Sequence, residues 1–283
     1  MRAQVTLTVN ESKRIIAKGV ANLPYVQKAL RSGKIFLKGG TTISAVCEEL
    51  VGQPLRISGR IVPQGTKAPK NYSASLHCAL IEHGKLLDVA ESLEQTVESL
   101  DAEDVAIIGA NAIDAFGNAA LMYGRVLGGK PGRIISGLMA EIRNVIIAAG
   151  LEKLVSGAIT DIISKTGRKG INLSMGMAVG LTPVVGRIIT EKEAIPLLGN
   201  VNCVVIGKGG ILGAEGATTM IVEGDKEEVE KIFQIILSVK GAEVSGVPES
   251  LLECTPPNEE CKLHWSCIYK KIGRKGKSSC QEI

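Results

Sequence analysis

Residues 38–44 (KGGTTIS) have the composition of a turn that binds an anion. The residues before them (KIFLK) predict a strand, and apolar residues after them recur at helical spacing, so two glycines directly precede a helix N-terminus. Backbone N–H groups there carry partial positive charge, and glycine lets a phosphate or carboxylate approach closely. An ordinary turn capped by threonine is the alternative. The candidate ligand-binding residues are Lys38, Gly39, Gly40, Thr41 and Thr42.

A second polar turn, residues 109–118 (GANAIDAFGN), follows the apolar run DVAIIG. Such a run is typical of a buried parallel strand, and open α/β sheets bind ligands beyond the carboxyl ends of their strands. An Asx-type turn, in which the Asn and Asp side chains bond their own backbone, is the alternative. The candidate ligand-binding residues are Gly109, Asn111, Gly117 and Asn118, and Asp114 is a candidate general base.

The elements that position these turns alternate between strand and helix. Helices are expected at 10–33, 43–50 and from 92, and a hairpin at 76–89; strands are expected at 34–38, 55–62, 104–109 and 144–149. The polar segment 63–70 predicts a mobile flap that contributes Lys67 or Lys70. This order predicts an α/β fold with an open, mostly parallel sheet flanked by helices.

The last part of the chain has a different pattern. A third buried strand at 201–206, a strand at 218–222, a helix at 225–240 and a strand at 242–247 predict a C-terminal β-α-β unit. We therefore expect an α/β ligand-binding domain at 1–200, a β-α-β extension or small lobe at 201–248, and a Cys-rich basic tail at 249–283.

Taken in order, these motifs resemble the superfamily of ribose-5-phosphate isomerase, glucosamine-6-phosphate deaminase and CoA transferases. In those relatives a glycine-rich loop holds a phosphate or an equivalent group, a strand ends in Gly-Ala-Asp/Asn, and a later strand ends shortly before a lysine. The matching positions are 39–42, 109–117 and Lys153. The 109–118 stretch is also similar to translation-initiation-factor-2B-like proteins and methylthioribose-phosphate isomerase, and residues 150–153 to lactate-utilisation proteins. The resemblance spans about residues 10–165.

The resemblance implies a small anionic metabolite, phosphorylated or carboxylated, as the partner, and a homo-oligomer as the assembly. Where the isomerases carry a catalytic Asp after Gly-Ala, this chain has Asn111, whose amide cannot act as a general base. A non-catalytic ligand-sensing module on the same fold is therefore the alternative to an enzyme. Glu152 is interpreted as part of an ordinary charged turn. The candidate catalytic residues are Asp114, Glu141 and Lys153.

The C-terminal tail holds a cluster of soft metal ligands, and a metal-binding protein is the third functional hypothesis. Thiolate and imidazole side chains at short spacing bind Zn²⁺, and four thiolates hold an iron–sulfur cluster. Disulfides and a reduced tail without metal are the alternatives. The candidate metal ligands are Cys254, Cys261, His264, Cys267 and Cys280.

Composition limits the class of protein. Of the 283 residues, 45% are hydrophobic, which is enough for a core, and 3% are aromatic, which argues against a sheet-on-sheet protein. The net charge is +4, of which the tail from Cys254 carries +3, so the near-neutral body argues against a nucleic-acid groove. The N-terminus lacks the apolar core of a signal peptide, and the longest uncharged run, 171–186, is too short to span a membrane. We therefore expect a cytoplasmic protein without a membrane partner.

Overall fold

The computed structural model describes residues 1–70, 76–256 and 259–272 of the chain. The strands are β1 (Arg2–Leu7), β2 (Lys34–Lys38), β3 (Arg60–Val62), β4 (Gly65–Lys67), β5 (Cys78–Glu82), β6 (Lys85–Asp88), β7 (Val105–Ile108), β8 (Ala112–Ile113), β9 (Ala119–Tyr123), β10 (Asn144–Ala148), β11 (Gly180–Val184), β12 (Arg187–Ile189), β13 (Val201–Gly209) and β14 (Ala217–Gly224). The helices are α1 (Val9–Ala21), α2 (Pro24–Ser32), α3 (Thr41–Val51), α4 (Leu93–Glu98), α5 (Gly129–Arg133), α6 (Ile135–Glu141), α7 (Ile159–Ser164), α8 (Glu191–Leu198), α9 (Lys226–Ser238), α10 (Pro248–Leu251) and α11 (Tyr269–Ile272).

A six-stranded mixed sheet, in the order β12-β10-β7-β2-β5-β6, forms the centre of the fold. The four strands β12, β10, β7 and β2 are parallel to one another, whereas β5 and β6 add an antiparallel hairpin at the other edge. β2 therefore lies between a parallel and an antiparallel neighbour, and its last residue, Lys38, is opposite Cys78 of β5. Smaller antiparallel sheets have the orders β1-β14-β13 and β11-β9-β8.

The central sheet is buried on both faces. Alternate residues of a strand point to opposite faces, so Ile35 and Leu37 of β2 pack in one apolar cluster with α1, α3, α8 and α9. Phe36 packs in a second cluster on the other face, with α4 and α6. Lys38 lies on the same face of β2 as Phe36, so a lysine side chain follows the apolar cluster at the end of the strand.

The predicted α/β fold, a sheet flanked by helices, is confirmed. The strands expected at 34–38, 104–109 and 144–149 correspond to β2, β7 and β10, and the expected hairpin corresponds to β5 and β6. The two clearest helical patterns correspond to α3 and α9. The sheet is mixed because the hairpin extends it in the antiparallel direction.

The predicted C-terminal β-α-β unit is wrong. β13 and β14 pair antiparallel, α9 follows them, and residues 242–247 form no strand, so this part of the chain is a β-β-α unit. The link between the two strands is residues 210–216, and a parallel crossover needs about a dozen residues or more. The outer partner of β14 is β1, which the prediction missed although its buried Val5 and Leu7 alternate with exposed residues.

The structure also differs from the prediction over residues 55–70, where a strand at 55–62 and a mobile flap at 63–70 were expected. Only Arg60–Val62 is extended, and it pairs with Gly65–Lys67 to form the β3–β4 hairpin. Lys67 is buried, and its Nζ lies 4.2 Å from the centroid of the Tyr269 ring.

Across the described part of the chain, no helix is long and apolar enough to cross a membrane.

Candidate functional site

A cavity of about 840 Å³ opens at the carboxyl ends of β2 and β7. This is the edge at which α/β sheets bind their ligands. The N-terminus of α3 and the turns after β7 and β10 contribute to its lining, together with the β3–β4 hairpin and β9. Residues that are distant along the sequence therefore meet around one volume, and that volume is in the range of small-molecule sites.

The N-terminus of α3 presents its backbone N–H groups to this cavity. The first N–H groups of a helix lack partners within the helix, and no side chain of the described residues caps α3. The N–H of Gly39 is used by the fold, because it donates to the carbonyl oxygen of His77 at 2.8 Å. A Cβ on Gly39 would lie 2.3 Å from that oxygen, so glycine is required for the turn to pack against β5. The amides of the first turn, from Thr41 onward, are the groups that remain available.

Some buried polar atoms of the cavity lining have no hydrogen-bond partner among the described residues. Thr42 Oγ1, the Tyr123 hydroxyl and Glu152 Oε2 are among them. The Thr42 side chain is the most deeply buried of the three, because the residue is 2% exposed and belongs to the first turn of α3. Buried polar groups in folded proteins are nearly always hydrogen-bonded, so their clustering at one cavity indicates groups kept for a ligand or for water.

Lys38 lines the cavity from the end of β2 and is 8% exposed. Its Nζ lies 5.8 Å from the centroid of the Tyr123 ring, and no carboxylate of the described residues forms an ion pair with it. Burial lowers the pKa of Lys38, and the neighbouring Cys78 thiol opposes that shift. The amine therefore has a larger neutral fraction at a given pH than an exposed lysine has.

His77 lies beside Lys38 and is neutral at physiological pH. Burial, reinforced by the positive charges of Lys38, Arg56 and Arg125, lowers the pKa of His77 to about 4. Its Nδ1 lies 3.0 Å from the carbonyl oxygen of Arg56. Because a carbonyl oxygen only accepts, Nδ1 carries the proton and Nε2 is left as the acceptor.

The cavity lining also contains Lys13, Glu152 and Lys153. Burial lowers the pKa of Lys13 to about 8; Glu152 opposes this shift, and Lys153 adds to it. Burial also lowers the pKa of Lys153. The Glu191 carboxylate holds this turn in place, because it accepts hydrogen bonds from the N–H of Leu151 at 3.0 Å and from the hydroxyl of Thr218. Glu152, which the sequence predicts as part of an ordinary charged turn, has its carboxylate near the buried Lys13 and the half-buried Lys153.

The charge of the cavity lining is strongly positive, in contrast to the near-neutral body of the chain. Glu91 at the rim is paired with Lys130, which leaves Glu152 as the other acidic residue of the lining. Such an excess of cations in a concave, partly desolvated site attracts anions. The lining contains seven Lys and Arg residues, namely Lys13, Lys38, Arg56, Arg60, Arg125, Lys130 and Lys153.

The structure brings together most of the residues predicted for ligand binding, but not the predicted carboxylates. Asp114, Glu141, Gly117 and Asn118 do not belong to the lining, and Glu141 is exposed at the end of α6. The predicted residues that line the cavity are Lys38, Gly39, Gly40, Thr41, Thr42, Gly109, Asn111 and Lys153. The side-chain oxygen of Asn111 accepts from the N–H of Met122 at 2.9 Å, so this amide also braces β9.

Asp114 instead organises the turn between β8 and β9. Its carboxylate accepts four hydrogen bonds, from the backbone N–H groups of Phe116, Asn118 and Ile159 and from the Asn118 side chain, at 2.8–2.9 Å. Burial alone would raise the pKa of Asp114, but these four donors lower it to about 2. The turn is thus the Asx-type arrangement weighed as the alternative, and the carboxylate has no free lone pair directed at the cavity.

Within residues 1–70, 76–256 and 259–272, no three His, Cys, Asp or Glu side chains are grouped as metal ligands are. Cys254, Cys261 and Cys267 form no disulfide with one another, and His264 is buried and lines the cavity. Cys280 lies outside the described residues, so the metal site predicted with it stays a prediction.

Several residues of the lining were missed by reasoning from sequence. Lys13 had a detectable signal, because it interrupts the buried face of α1 between Val9 and Ile16. His77 and Tyr123 had no such signal, since they reach the cavity from a hairpin and from an antiparallel strand whose packing is not local.

No protein-family model matches this chain, and the search of the curated proteins finds none that is similar to it.

Proposed function

We propose that the cavity binds a small phosphorylated or carboxylated metabolite, with the anionic group at the N-terminus of α3. The observation that carries this proposal is Thr42: its hydroxyl is buried, has no partner among the described residues, and lines the cavity beside the uncapped amides of the same helix turn. A phosphate oxygen would accept from the hydroxyl and from those amides together.

The charges of the cavity lining support an anion rather than a neutral ligand. The pKa is lowered for the buried Lys13 and for the half-buried Lys153, and a bound anion would favour their protonated forms. Anion binding and proton uptake by these lysines are therefore expected to be coupled. The resemblance of residues 10–165 to the sugar-phosphate isomerase and CoA-transferase superfamily agrees with this class of ligand.

The volume supports a ligand larger than inorganic phosphate. A site of about 840 Å³ accommodates a sugar phosphate or a nucleotide-sized molecule. Arg56 and Arg125 lie close enough to His77 to lower its pKa, and Arg60 also lines the cavity. A second anionic or hydrogen-bonding group of the ligand would contact these guanidinium groups.

A binding experiment with three anions tests the proposal. We expect inorganic phosphate, ribose 5-phosphate and CoA, added separately, to raise the melting temperature of the full chain. A ligand at a hundredfold excess over its Kd contributes about 2.7 kcal/mol, which corresponds to roughly 5 °C for a chain of this size. If none of the three raises the melting temperature or gives heat by calorimetry, the proposal is wrong.

A matched pair of charge variants locates the site. Lys153→Gln removes a cation of the cavity, whereas Lys165→Gln removes an exposed lysine just after α7, so the net charge changes equally. We expect Lys153→Gln to weaken binding of the best ligand roughly tenfold, because a charge-assisted contact in a desolvated site is lost. Lys165→Gln should stay within about twofold, since salt screens exposed charges. Equal effects would place the anion elsewhere.

A non-catalytic sensing role is the second candidate, and one observation favours it. Asn111 stands where the isomerases carry an acid, its oxygen is bonded to Met122, and the carboxylate of Asp114 is fully used by its turn. We expect ribose 5-phosphate to bind without conversion to the ketose, as followed by NMR. Conversion that is lost in Glu152→Gln would establish an isomerase instead, with Glu152 as the base.

A further inference from the structure

We propose that Lys38 is a nucleophilic amine that forms a Schiff base with an aldehyde or ketone group of the bound metabolite. This inference deepens the proposed function and rests on it, because the anionic group of the ligand must be held at α3 for its carbonyl carbon to meet the amine. The ligand class is then a phosphorylated aldehyde or ketone.

The position of Lys38 suits a nucleophile better than a simple counterion. The residue ends β2, where its backbone is paired with Cys78 of β5, and it is 8% exposed. It forms no ion pair with a carboxylate of the described residues, whereas buried lysines that serve only the fold are normally paired. Its lowered pKa leaves more of the amine in the neutral form that attacks a carbonyl group.

Tyr123 shares the cavity with Lys38, and its hydroxyl is the group assigned to transfer the protons of this reaction through a water molecule. Lys38 Nζ lies 5.8 Å from the centroid of its ring, and its hydroxyl is buried, lines the cavity and has no partner among the described residues. The amine lone pair forms the C–N bond, and the carbonyl oxygen becomes a hydroxyl group. That hydroxyl leaves as water when the nitrogen lone pair forms the C=N bond. The two protons of the water come from the amine, and Tyr123 relays them from nitrogen to oxygen.

The spacing along the chain selects the substrate class. Lys38 and Thr41 are three residues apart, so their Cα atoms are separated by at most about 11 Å. A phosphate held by the amides of α3 would therefore place a carbonyl group a few bonds away within reach of the four-carbon side chain of Lys38. Short phosphorylated aldehydes and ketones have this geometry, whereas a bare carboxylate or inorganic phosphate lacks the electrophile.

Reductive trapping of the full-length protein tests the inference. The probes are pyridoxal 5′-phosphate and ribose 5-phosphate, each added at a stoichiometric amount with borohydride, followed by intact mass measurement and peptide mapping. We expect a single reduced adduct on the peptide that contains Lys38, and we expect excess inorganic phosphate to suppress it. Adducts spread over exposed lysines, or none on Lys38, would overturn the inference.

Variants refine this result. Lys38→Met keeps the length of the side chain and removes the amine, so we expect it to lower the adduct yield about tenfold or more, while Lys85→Met, at an exposed lysine of β6, leaves the yield unchanged. Tyr123→Phe should slow trapping roughly 10²-fold, as removal of a proton-transfer group does. If Lys38→Met does not fold, peptide mapping of the unmodified chain still decides the question.

The two proposals fail in distinguishable ways. Phosphate that raises the melting temperature while no adduct forms on Lys38 overturns the Schiff base alone. An absence of any effect of phosphate, ribose 5-phosphate and CoA on the melting temperature overturns the proposed anion site. An adduct on Lys38 that excess phosphate does not suppress overturns the phosphorylated ligand class stated here.

Discussion

Two polar regions at the same edge of the protein differ in how their hydrogen bonds are satisfied. In the turn around Asp114, the carboxylate accepts four hydrogen bonds from its own neighbourhood. In the cavity, Thr42, Tyr123 and Glu152 each bury an oxygen without a partner among the described residues. The sequence presents both regions as polar, glycine-containing turns after strands. The two regions therefore differ in whether their buried polar atoms are hydrogen-bonded, and residue type alone does not show this difference.

The energetic reason is the cost of burying a polar atom. A hydrogen bond within the protein contributes only about 1 kcal/mol net, but a buried group left without a partner costs about 1–3 kcal/mol. The Asp114 turn does not carry this cost, because its donors and acceptors are paired within the chain. The cavity carries it at its unpaired atoms, and a ligand that hydrogen-bonds to those atoms would remove the cost and so bind more tightly.

The largest expected effect comes from removing the Asp114 carboxylate, which accepts the hydrogen bonds of its turn. We expect Asp114→Ala to lower the free energy of unfolding by about 3 kcal/mol, because four donors lose their acceptor at once and Ile159 N–H is buried. Urea denaturation measures this loss, and the exposed Asp161→Ala variant, on α7, should change it by less than about 0.5 kcal/mol. Phosphate affinity of the folded Asp114→Ala protein should be retained. A large loss of affinity without a loss of stability would mean that Asp114 belongs to the site.

A pair of threonine variants sharpens the comparison. Thr42 and Thr96 are both buried near the start of a helix, but the Thr96 hydroxyl donates to the Ser92 carbonyl oxygen at 2.7 Å. Thr96→Val should lower the free energy of unfolding by about 1 kcal/mol and leave phosphate affinity unchanged. Thr42→Val should maintain or raise stability and weaken phosphate binding roughly tenfold, which is about 1.4 kcal/mol.

Denaturation and calorimetry on the same two proteins provide the test. If Thr42→Val loses as much stability as Thr96→Val and binds phosphate normally, its hydroxyl is a structural group, and the contrast between the two regions fails. The pair is informative because both substitutions replace a hydroxyl by a methyl group of similar volume in the same type of element.

The parts of the fold that sequence predicts are those that local patterns specify. The strand, two glycines and helix from Lys34 to Val51 follow from an apolar run, a turn and a helical period within twenty residues, and the pattern of α9 is equally local. The sheet of β1, β14 and β13 was not predictable in this way. Its register pairs Arg2 with Glu223, and an apolar run does not specify the direction of its neighbour.

The candidate site shows the same limit. Gly39, Thr42 and Asn111 line one cavity because turns after adjacent parallel strands meet at one sheet edge, which sequence order predicts. That Asp114 would face its own turn while Glu152 faces the cavity depends on which donors each carboxylate reaches, and residue spacing does not contain that information.

The smallest expected effect concerns His77, which has one ring nitrogen hydrogen-bonded within the fold and which also lines the cavity. Nδ1 is satisfied by the Arg56 carbonyl oxygen, whereas burial and the charges of Lys38 and two arginines lower the pKa of His77 to about 4 from an ordinary value of 6.5. Between these two pH values the unfolded chain binds a proton that the folded chain does not, so stability decreases as the pH falls from 6.5 to 4. From pH 7 to pH 6 the contribution is roughly 0.7 kcal/mol.

The difference between variants isolates this contribution, because other groups titrate over the same range. We expect His77→Gln to reduce the loss of stability between pH 7 and pH 5, whereas His83→Asn, at an exposed turn between β5 and β6, should keep it. Urea denaturation at three pH values measures both. Equal pH dependence in the two variants would mean that the folded chain protonates His77 normally.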